Sequence, residues 1–395
     1  MHEFRPVTAV EREEFDRIRR YAFHLEDGPL AHENGADSDG ESPLGTRYGY
    51  LDDGDLASIC IHYTFETRLR GEWIEMGGLG AVATPPERRR EGNVRGMLKE
   101  SIRTFGDVPL VALWPFSTAF YRQFGWASTN EITRYTVPPE ELPTGSEPTG
   151  EFRPVDPDEW RRLRKVHLAA GRAETLSVRR SEQWWRRRIF HAWGDDRRHV
   201  YAYVREGTKA GYVVYDVEQD DERELTVEYL GARDHAAFRV LLGFLGDHDS
   251  QVDRIILDRP GDARLFDVLE APQEADAELR PGPMVRLTDV TRALEAVPYP
   301  DDVDEQVTVE VVDPLIEENS DTYRLLVEDG EGICRSKPEA SADVTLDVGA
   351  LSRLLIGARS ADALATVGDL SASADARERL ARLFPPERVF LREFF

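Results

Sequence analysis

The chain has 395 residues, 75 of them acidic against 50 basic, for a formal net charge of −25. That length predicts two or three domains rather than one, and the negative balance excludes nonspecific attraction to nucleic-acid phosphates, which needs a positive face. No run approaches 18 apolar residues and the start, Met1-His2-Glu3-Phe4-Arg5, lacks a basic-then-apolar leader pattern, so no membrane partner is expected and the cytoplasm is the expected location.

Lysine is scarce beside Asp, Glu and Arg. Such a surface stays hydrated when salt screens charge, and it fits a salt-adapted organism and an ordinary acidic cytosolic protein equally. Cys60 and Cys334 lie far apart in apolar runs and read as buried thiols. No Cys and His cluster has zinc spacing, so no metal is expected.

From the first residues on, the pattern is that of an α/β unit. Residues 11–23 carry Phe15, Ile18 and Ala22 at helical spacing. Residues 47–51 and 56–63 read as strands joined at an Asp53-Gly54 turn, a hairpin signal. Glu26 and Asp27 follow the first helix and could hold a cationic amine or stand in a solvated loop; residues 32–41 read as a lid or plain loop. Residues 73–82 form an apolar run with strand character. Beyond it comes Val82-Ala83-Thr84-Pro85-Pro86-Glu87-Arg88-Arg89-Arg90-Glu91-Gly92, and then Val94, Met97, Leu98, Ser101 and Ile102 at helical spacing. A strand, a basic glycine-containing turn and a helix start leave unpaired N–H groups aimed at one spot, and the positive dipole end adds attraction for an anion.

This segment resembles motif A of the GNAT acyltransferases, in which Arg/Gln-x-x-Gly-x-Gly/Ala holds the pyrophosphate of acetyl-CoA. Arg89-x-x-Gly92 matches, and Val94 stands where Gly or Ala is usual. The resemblance implies acetyl-CoA as co-substrate, held by Ala81, Val82, Ala83, Arg88, Arg89, Arg90, Glu91, Gly92, Asn93 and Val94, with Ser117 added from the next segment.

Residues 110–114 read as a further strand, broken by Pro115. Ser117 or Thr118 can cap a short helix that Gly125 ends, which puts Ser117 and Tyr121 on one face. Phe120-Tyr121-Arg122-Gln123-Phe124-Gly125-Trp126 is similar to the GNAT segment whose tyrosine lies beside the thioester sulfur. Residues 133–137 read as the returning strand of this unit.

Residues 138–150, rich in Pro, Glu, Gly and Thr, form a linker. The pattern then restarts: Phe152-Arg153-Pro154-Val155 echoes Phe4-Arg5-Pro6-Val7, and each leads into a helix. Strands are expected at 200–204, 211–215, 225–230 and 254–257, with a helix at 235–245. The turn Gly231-Ala232-Arg233-Asp234-His235 lacks the basic glycine-rich pattern, so this half is expected not to bind CoA. In Trp184-Trp185-Arg186-Arg187-Arg188 the tryptophans read as packed and the arginines as surface ion pairs, in preference to a nucleic-acid patch. From Met284 the order changes again: a strand at 285–287, a helix at 289–294, strands at 307–311, 322–327 and 344–348, and helices at 350–356, 360–367 and 373–383.

The chain closes on Phe390-Leu391-Arg392-Glu393-Phe394-Phe395. Chain ends are usually polar and mobile, so two terminal phenylalanines point to a packed end, with burial between Phe394 and apolar neighbours raising the basicity of the α-carboxylate. The two rings could equally serve only to anchor the last segment. Motif A, the Tyr121 segment and the aromatic terminus together resemble the Eis-like (enhanced intracellular survival) acetyltransferases. That resemblance implies an α/β (α+β) fold of two tandem GNAT-like mixed-sheet domains, 1–137 and 151–283, and a sterol-carrier-protein-like domain, 284–395. It implies Tyr121 as general acid and the Phe395 carboxylate as general base, an amine acceptor, and a homo-oligomer, trimer or hexamer. The alternative is a non-catalytic CoA- or lipid-binding regulator on the same fold; an aminoacyl- or myristoyl-type transfer is a further one.

Overall fold

A computed structural model describes residues 2–25, 28, 44–143, 150–192, 197–219, 221–261 and 264–395. In chain order the first segment holds β1 (His2–Pro6), α1 (Arg12–Phe23), β2 (Thr46–Asp52), β3 (Asp55–Leu69), β4 (Glu72–Ala83), α2 (Asn93–Phe105), β5 (Leu110–Leu113), α3 (Thr118–Arg122) and β6 (Ala127–Ser128). The second holds β7 (Glu131–Val137), β8 (Gly150–Pro154), α4 (Trp160–Ala170), β9 (Val178–Arg179), α5 (Glu182–Trp184), β10 (His199–Arg205), β11 (Thr208–Gln219), β12 (Arg223–Ala232), α6 (His235–Gly246), β13 (Arg254–Pro260) and β14 (Asp276–Pro281). The last holds β15 (Met284–Leu287), α7 (Val290–Ala296), β16 (Glu305–Val312), β17 (Asp321–Glu328), β18 (Glu331–Ser336), β19 (Val344–Asp347), α8 (Val348–Leu355), α9 (Ala361–Thr366), β20 (Leu370–Ala372) and α10 (Ala374–Leu383).

These elements form two compact units, 1–129 with 283–395, and 130–282. In the first unit one sheet runs in the order β1-β2-β3-β4-β5-β15-β6, and a five-stranded sheet runs β18-β17-β16-β19-β20. Asp53 and Gly54 both take positive φ, the backbone twist that a tight hairpin between β2 and β3 requires. Helix α1 buries Phe15 and Ile18, while Ala22 lies exposed near its end. Helix α2 buries Met97, Leu98, Ser101, Ile102 and Phe105, an apolar stripe at the 3–4 residue spacing that lays it on the sheet. The core beneath α2 contains Cys60, Leu79, Val111, Tyr121, Trp126 and Met284, and it includes Leu315 and Ile316 from the last segment.

Two strands lie where the sequence pattern did not place them. Residues 133–137 were expected to return into the first sheet; as part of β7 they pair with β13 and β14 in the second unit. Met284–Leu287, expected to open the last domain, pairs with β5 and β6 and so completes the first sheet. The physical reason is shared: a short apolar strand pairs with whichever sheet edge is open, and strand composition carries no information about its partner.

The second unit has one seven-stranded sheet, β14-β7-β13-β12-β11-β10-β8. Its core holds Val213, Leu225, Leu241, Leu242, Leu245, Ile255 and Leu257. Trp184 and Trp185 are buried as expected, and Arg186 pairs with Asp158 and Glu182. Arg188, expected at the surface, is buried. Among the described residues, no helix is long and apolar enough to cross a membrane.

Candidate active site

The centre of the site is strand β4. Its ladder with the parallel strand β5 runs from Met76–Leu110 through Gly78–Ala112. Its pairing with β3 shifts register between Ile59–Ala83 and Ile61–Gly80, and Ala81 sits at a φ of 49°. A residue in the left-handed region at such a shift is a β-bulge, which bends a strand and re-aims its backbone. Strand β4 is therefore bent at Ala81, just beyond the end of its ladder with β5 at Gly78.

The glycines around this bend set what touches the strand. Because side chains alternate across a strand, Gly77 and Leu79 face α2, where a Cβ on Gly77 would lie 2.7 Å from the Phe105 ring. Gly78 and Gly80 face the other way. A Cβ on Gly78 would lie 2.8 Å from the Phe395 ring, and one on Gly80 would lie 3.0 Å from the terminal carboxyl carbon of Phe395. Only glycine lets the chain end lie this close to β4. The sequence reading missed both residues, although glycine inside a strand is itself a signal of close backbone approach.

Phe395 is 5 % exposed, its ring tilted against Phe65 at 4.9 Å and Tyr63 at 5.6 Å. Burying such a ring stabilises by roughly 1.5–3 kcal/mol, which holds an end that would otherwise fray. Phe394, expected to help enclose the carboxylate, is instead 50 % exposed and packs on Trp114. The Phe395 ring lies against Tyr63, Phe65 and Gly78, and its carboxyl group lies at Gly80. Trp114, at the end of β5, donates its indole N–H to the Glu393 carbonyl at 2.7 Å and ties the tail to the first sheet.

Tyr121 comes from the other face of β4. Ser117 caps α3 by accepting the Phe120 N–H at 3.3 Å, and Gly125 ends the helical stretch at a φ of 82°. Tyr121 is 2 % exposed and packs in the same core as Leu79, edge-on to Phe116, Phe120 and Trp126. Burial raises its phenol pKa well above the ordinary value, so the group holds its proton at neutral pH. Tyr121 and Phe395 thus approach β4 from opposite faces.

The motif A residues divide. Gly92 is the N-cap of α2 at a φ of 86° and supplies no side-chain cap; Arg90, two residues earlier, is also left-handed at 68°. Asn93 turns its side chain back to the Arg88 carbonyl and the Glu91 carboxylate. The first-turn N–H groups of α2 thus have no capping side chain across them, the arrangement that suits an anion. Arg89 and Arg90 are exposed beside it, with Arg89 Nε donating to the Thr84 carbonyl at 3.1 Å. Arg88 turns away, toward Asp52 and Asp55 at 3.6 and 3.4 Å. Val94, the departure from the usual pattern, packs against the core under α2 together with Val82, and Ala83 is buried against α1. Glu26, Asp27 and residues 32–41 lie outside the described residues.

Behind the site, His62 is stacked between Tyr48 and Phe105 and meets Ser101 Oγ at 3.0 Å. Burial pulls its pKa down to about 3, so the ring is neutral. Burial likewise pushes the Cys60 thiol up to about 12. Among the described residues no group of His, Cys, Asp and Glu could hold a metal ion.

Comparison with known proteins gives the same architecture. Two acetyltransferase (GNAT) family models match residues 3–129 and 176–287, and a sterol carrier protein domain matches 290–392. N-acetyltransferase Eis of Mycobacterium tuberculosis (strain ATCC 25177 / H37Ra) is 27% identical over 334 residues, 80% of this chain and 79% of the relative. An uncharacterized N-acetyltransferase of Streptomyces avermitilis is 25% identical over 394 residues, 92% of this chain and 91% of the relative. In fold, the chain is similar to a probable N-acyltransferase from Enterococcus faecalis V583 (TM-score 0.89, 24% identity, all of both chains). It is also similar in fold to Eis1 from Mycobacterium abscessus (TM-score 0.75, 23% identity, all of both chains). The chain thus carries two acetyltransferase (GNAT) domains and a sterol carrier protein domain, and along most of its length it is similar to the Eis N-acetyltransferases.

Proposed function

We propose that the protein transfers an acetyl group from acetyl-CoA directly to an amine, with the Phe395 α-carboxylate as general base and Tyr121 as general acid. What supports this reading is that the Phe395 carboxyl group lies at Gly80, beside the bend of β4, while Tyr121 is buried in the core that holds Leu79, on the opposite face of that strand. Pyrophosphate would lie at the first turn of α2, beside Arg89 and Arg90. The bent backbone around Leu79 to Val82 would face the pantetheine arm and the carbonyl, and its N–H groups would stabilise the oxyanion.

In the reaction the amine nitrogen attacks the thioester carbonyl carbon, and the carbon–sulfur bond breaks as the tetrahedral adduct collapses. The amine proton passes to the carboxylate, and the Tyr121 proton passes to the departing thiolate. The raised pKa of Tyr121 keeps that proton available at neutral pH. The net negative charge of the chain concentrates cationic amines near its surface, which fits an amine acceptor; Glu26 and Asp27 remain candidates for holding one. In this reading the last region's work is delivery of the terminus, aided by β15 in the first sheet. We expect a cytoplasmic location, which use of acetyl-CoA would fit. We expect a homo-oligomer, which light scattering would read as a mass of three or six chains.

The test is amine-dependent CoA release by the intact chain and by one extended by two glycines after Phe395. Loss of turnover with acetyl-CoA binding retained supports the terminal base. Unchanged turnover in the extended chain would discard it and leave the enzyme.

A further inference from the structure

The helix that carries Tyr121 is closed by the turn Phe124-Gly125, and a buried ion pair grips that turn. Arg286, on β15, is fully buried. Its Nη1 donates to the Phe124 carbonyl at 2.5 Å and its Nη2 donates to Asp313 Oδ2 at 2.5 Å. Gly125 is the only residue type that fits beneath the guanidinium: a Cβ there would collide with Arg286 Nη1 and with Val348. Phe124 and Trp126 both donate their N–H groups to the carbonyl of Tyr121, at 3.0 and 3.3 Å. A displacement of Phe124 therefore passes directly into the backbone of Tyr121.

Asp313 is held as firmly as Arg286. Its Oδ1 accepts the N–H groups of Leu315 and Ile316, each at 2.9 Å, and its Oδ2 also accepts Asn319 Nδ2 at 2.9 Å. Desolvation lowers the Arg286 pKa, and Asp313 opposes that shift. Well-packed apolar residues often stabilise a core as well as, or better than, a buried ion pair does. Stability alone therefore does not account for the pair. What an apolar side chain cannot do is donate to the Phe124 carbonyl while fixed from a second element.

We propose that Arg286, held by Asp313, is a positioning residue for Tyr121: it sets the Phe124-Gly125 turn and so the place of the phenol at the departing sulfur. The proposal rests on the reading of Tyr121 as general acid. It gives the last segment a second tie to the chemistry, since Asp313 acts on the acid while Phe395 supplies the base.

The test is a mutant cycle on the full chain, comparing Y121F, the paired replacement R286M/D313L and the triple variant. The paired replacement avoids stranding one buried charge, and its fold is checked by its melting temperature and its acetyl-CoA affinity. The expected result is a 10- to 100-fold loss of kcat with acetyl-CoA affinity within twofold of the parent, and no further loss when the replacement is added to Y121F. A wild-type kcat in R286M/D313L overturns the proposal. So does an equal loss in the Y121F background, the signature of a merely structural role. A wild-type kcat in Y121F instead overturns the underlying reading of Tyr121. If R286M/D313L does not fold, R286K carries the same cycle. It keeps the charge opposite Asp313 but lacks the second fork nitrogen for Phe124.

Discussion

Helices α2 and α6 follow similar strands in the two GNAT halves and differ at their first turns. Each comes after a long strand that pairs in parallel with the next for three or four residues, Met76 to Gly78 on β4 and Glu224 to Val227 on β12. At α2 the N-cap is Gly92, with no side chain over the first N–H groups. At α6 the N-cap is Asp234, whose carboxylate accepts the Ala237 N–H at 2.8 Å and pairs with Arg205 at 2.5 Å. A carboxylate in that place satisfies the donors and repels a phosphate. Past the β12–β13 ladder, Tyr229 carries the Arg180 guanidinium 4.2 Å from its ring, and Trp185 lies 4.9 Å from the same group. The fold is repeated, but one helix start offers donors and the other has used them. One residue at the cap separates a helix start with an open first turn from one closed by a carboxylate.

The largest effect should come from filling the β4 glycine position on the first side. Gly80→Val would put a side chain where the terminal carboxyl lies, and kcat should fall at least about 100-fold while acetyl-CoA still binds in calorimetry. Retained turnover would remove Phe395 from the chemistry. Next, Gly92→Asp gives α2 the cap that α6 has. Steady-state kinetics should show KM for acetyl-CoA rising about 10-fold or more, beyond the roughly 1–2 kcal/mol of left-handed strain seen in the melting temperature. An unchanged KM would dissolve the contrast between the two helix starts.

His62 distinguishes the first core by pH. Its folded pKa of about 3 lies below the ordinary value of 6.5, so the unfolded chain binds the proton more readily. The stability contributed by the neutral ring is present above pH 6.5 and is lost as pH falls from there toward 3, by at most about 1.4 kcal/mol per pH unit. Urea unfolding across that window should show the slope, and His62→Phe should flatten it. The smallest effect is expected at the scaffold cap. Asp234→Ala should cost about 1 kcal/mol by thermal melting and leave KM for acetyl-CoA where it was.

Much of the site could be read from local pattern. Arg89-x-x-Gly92 before a helical stripe, Ser117 four residues before Tyr121, and Gly125 after it all specify their own neighbourhoods, and each adopts the expected local form. Even the strand β18, which the sequence reading passed over, had a signal in Asp329-Gly330, both at positive φ in the structure. What stayed hidden was long-range. Nothing near Gly78 or Gly80 says that a residue more than 300 positions away will lie on them. Nothing near Trp114 names the Glu393 carbonyl, and nothing near Arg286 names Asp313.

The sequence by itself determined most of the longer elements, their order, the resemblance to a family and the chemistry of the individual side chains, because periodicity, caps and turn residues act within a few positions along the chain. Tertiary structure alone decided the exchange of β7 and β15 between sheets, the burial of Phe395 while Phe394 stays half-exposed, and the turning of Arg88 toward Asp52 and Asp55. Those outcomes are choices among partners that are equivalent locally. They are settled by which edge is open, which face has room, and which charge lies near once the whole chain has packed.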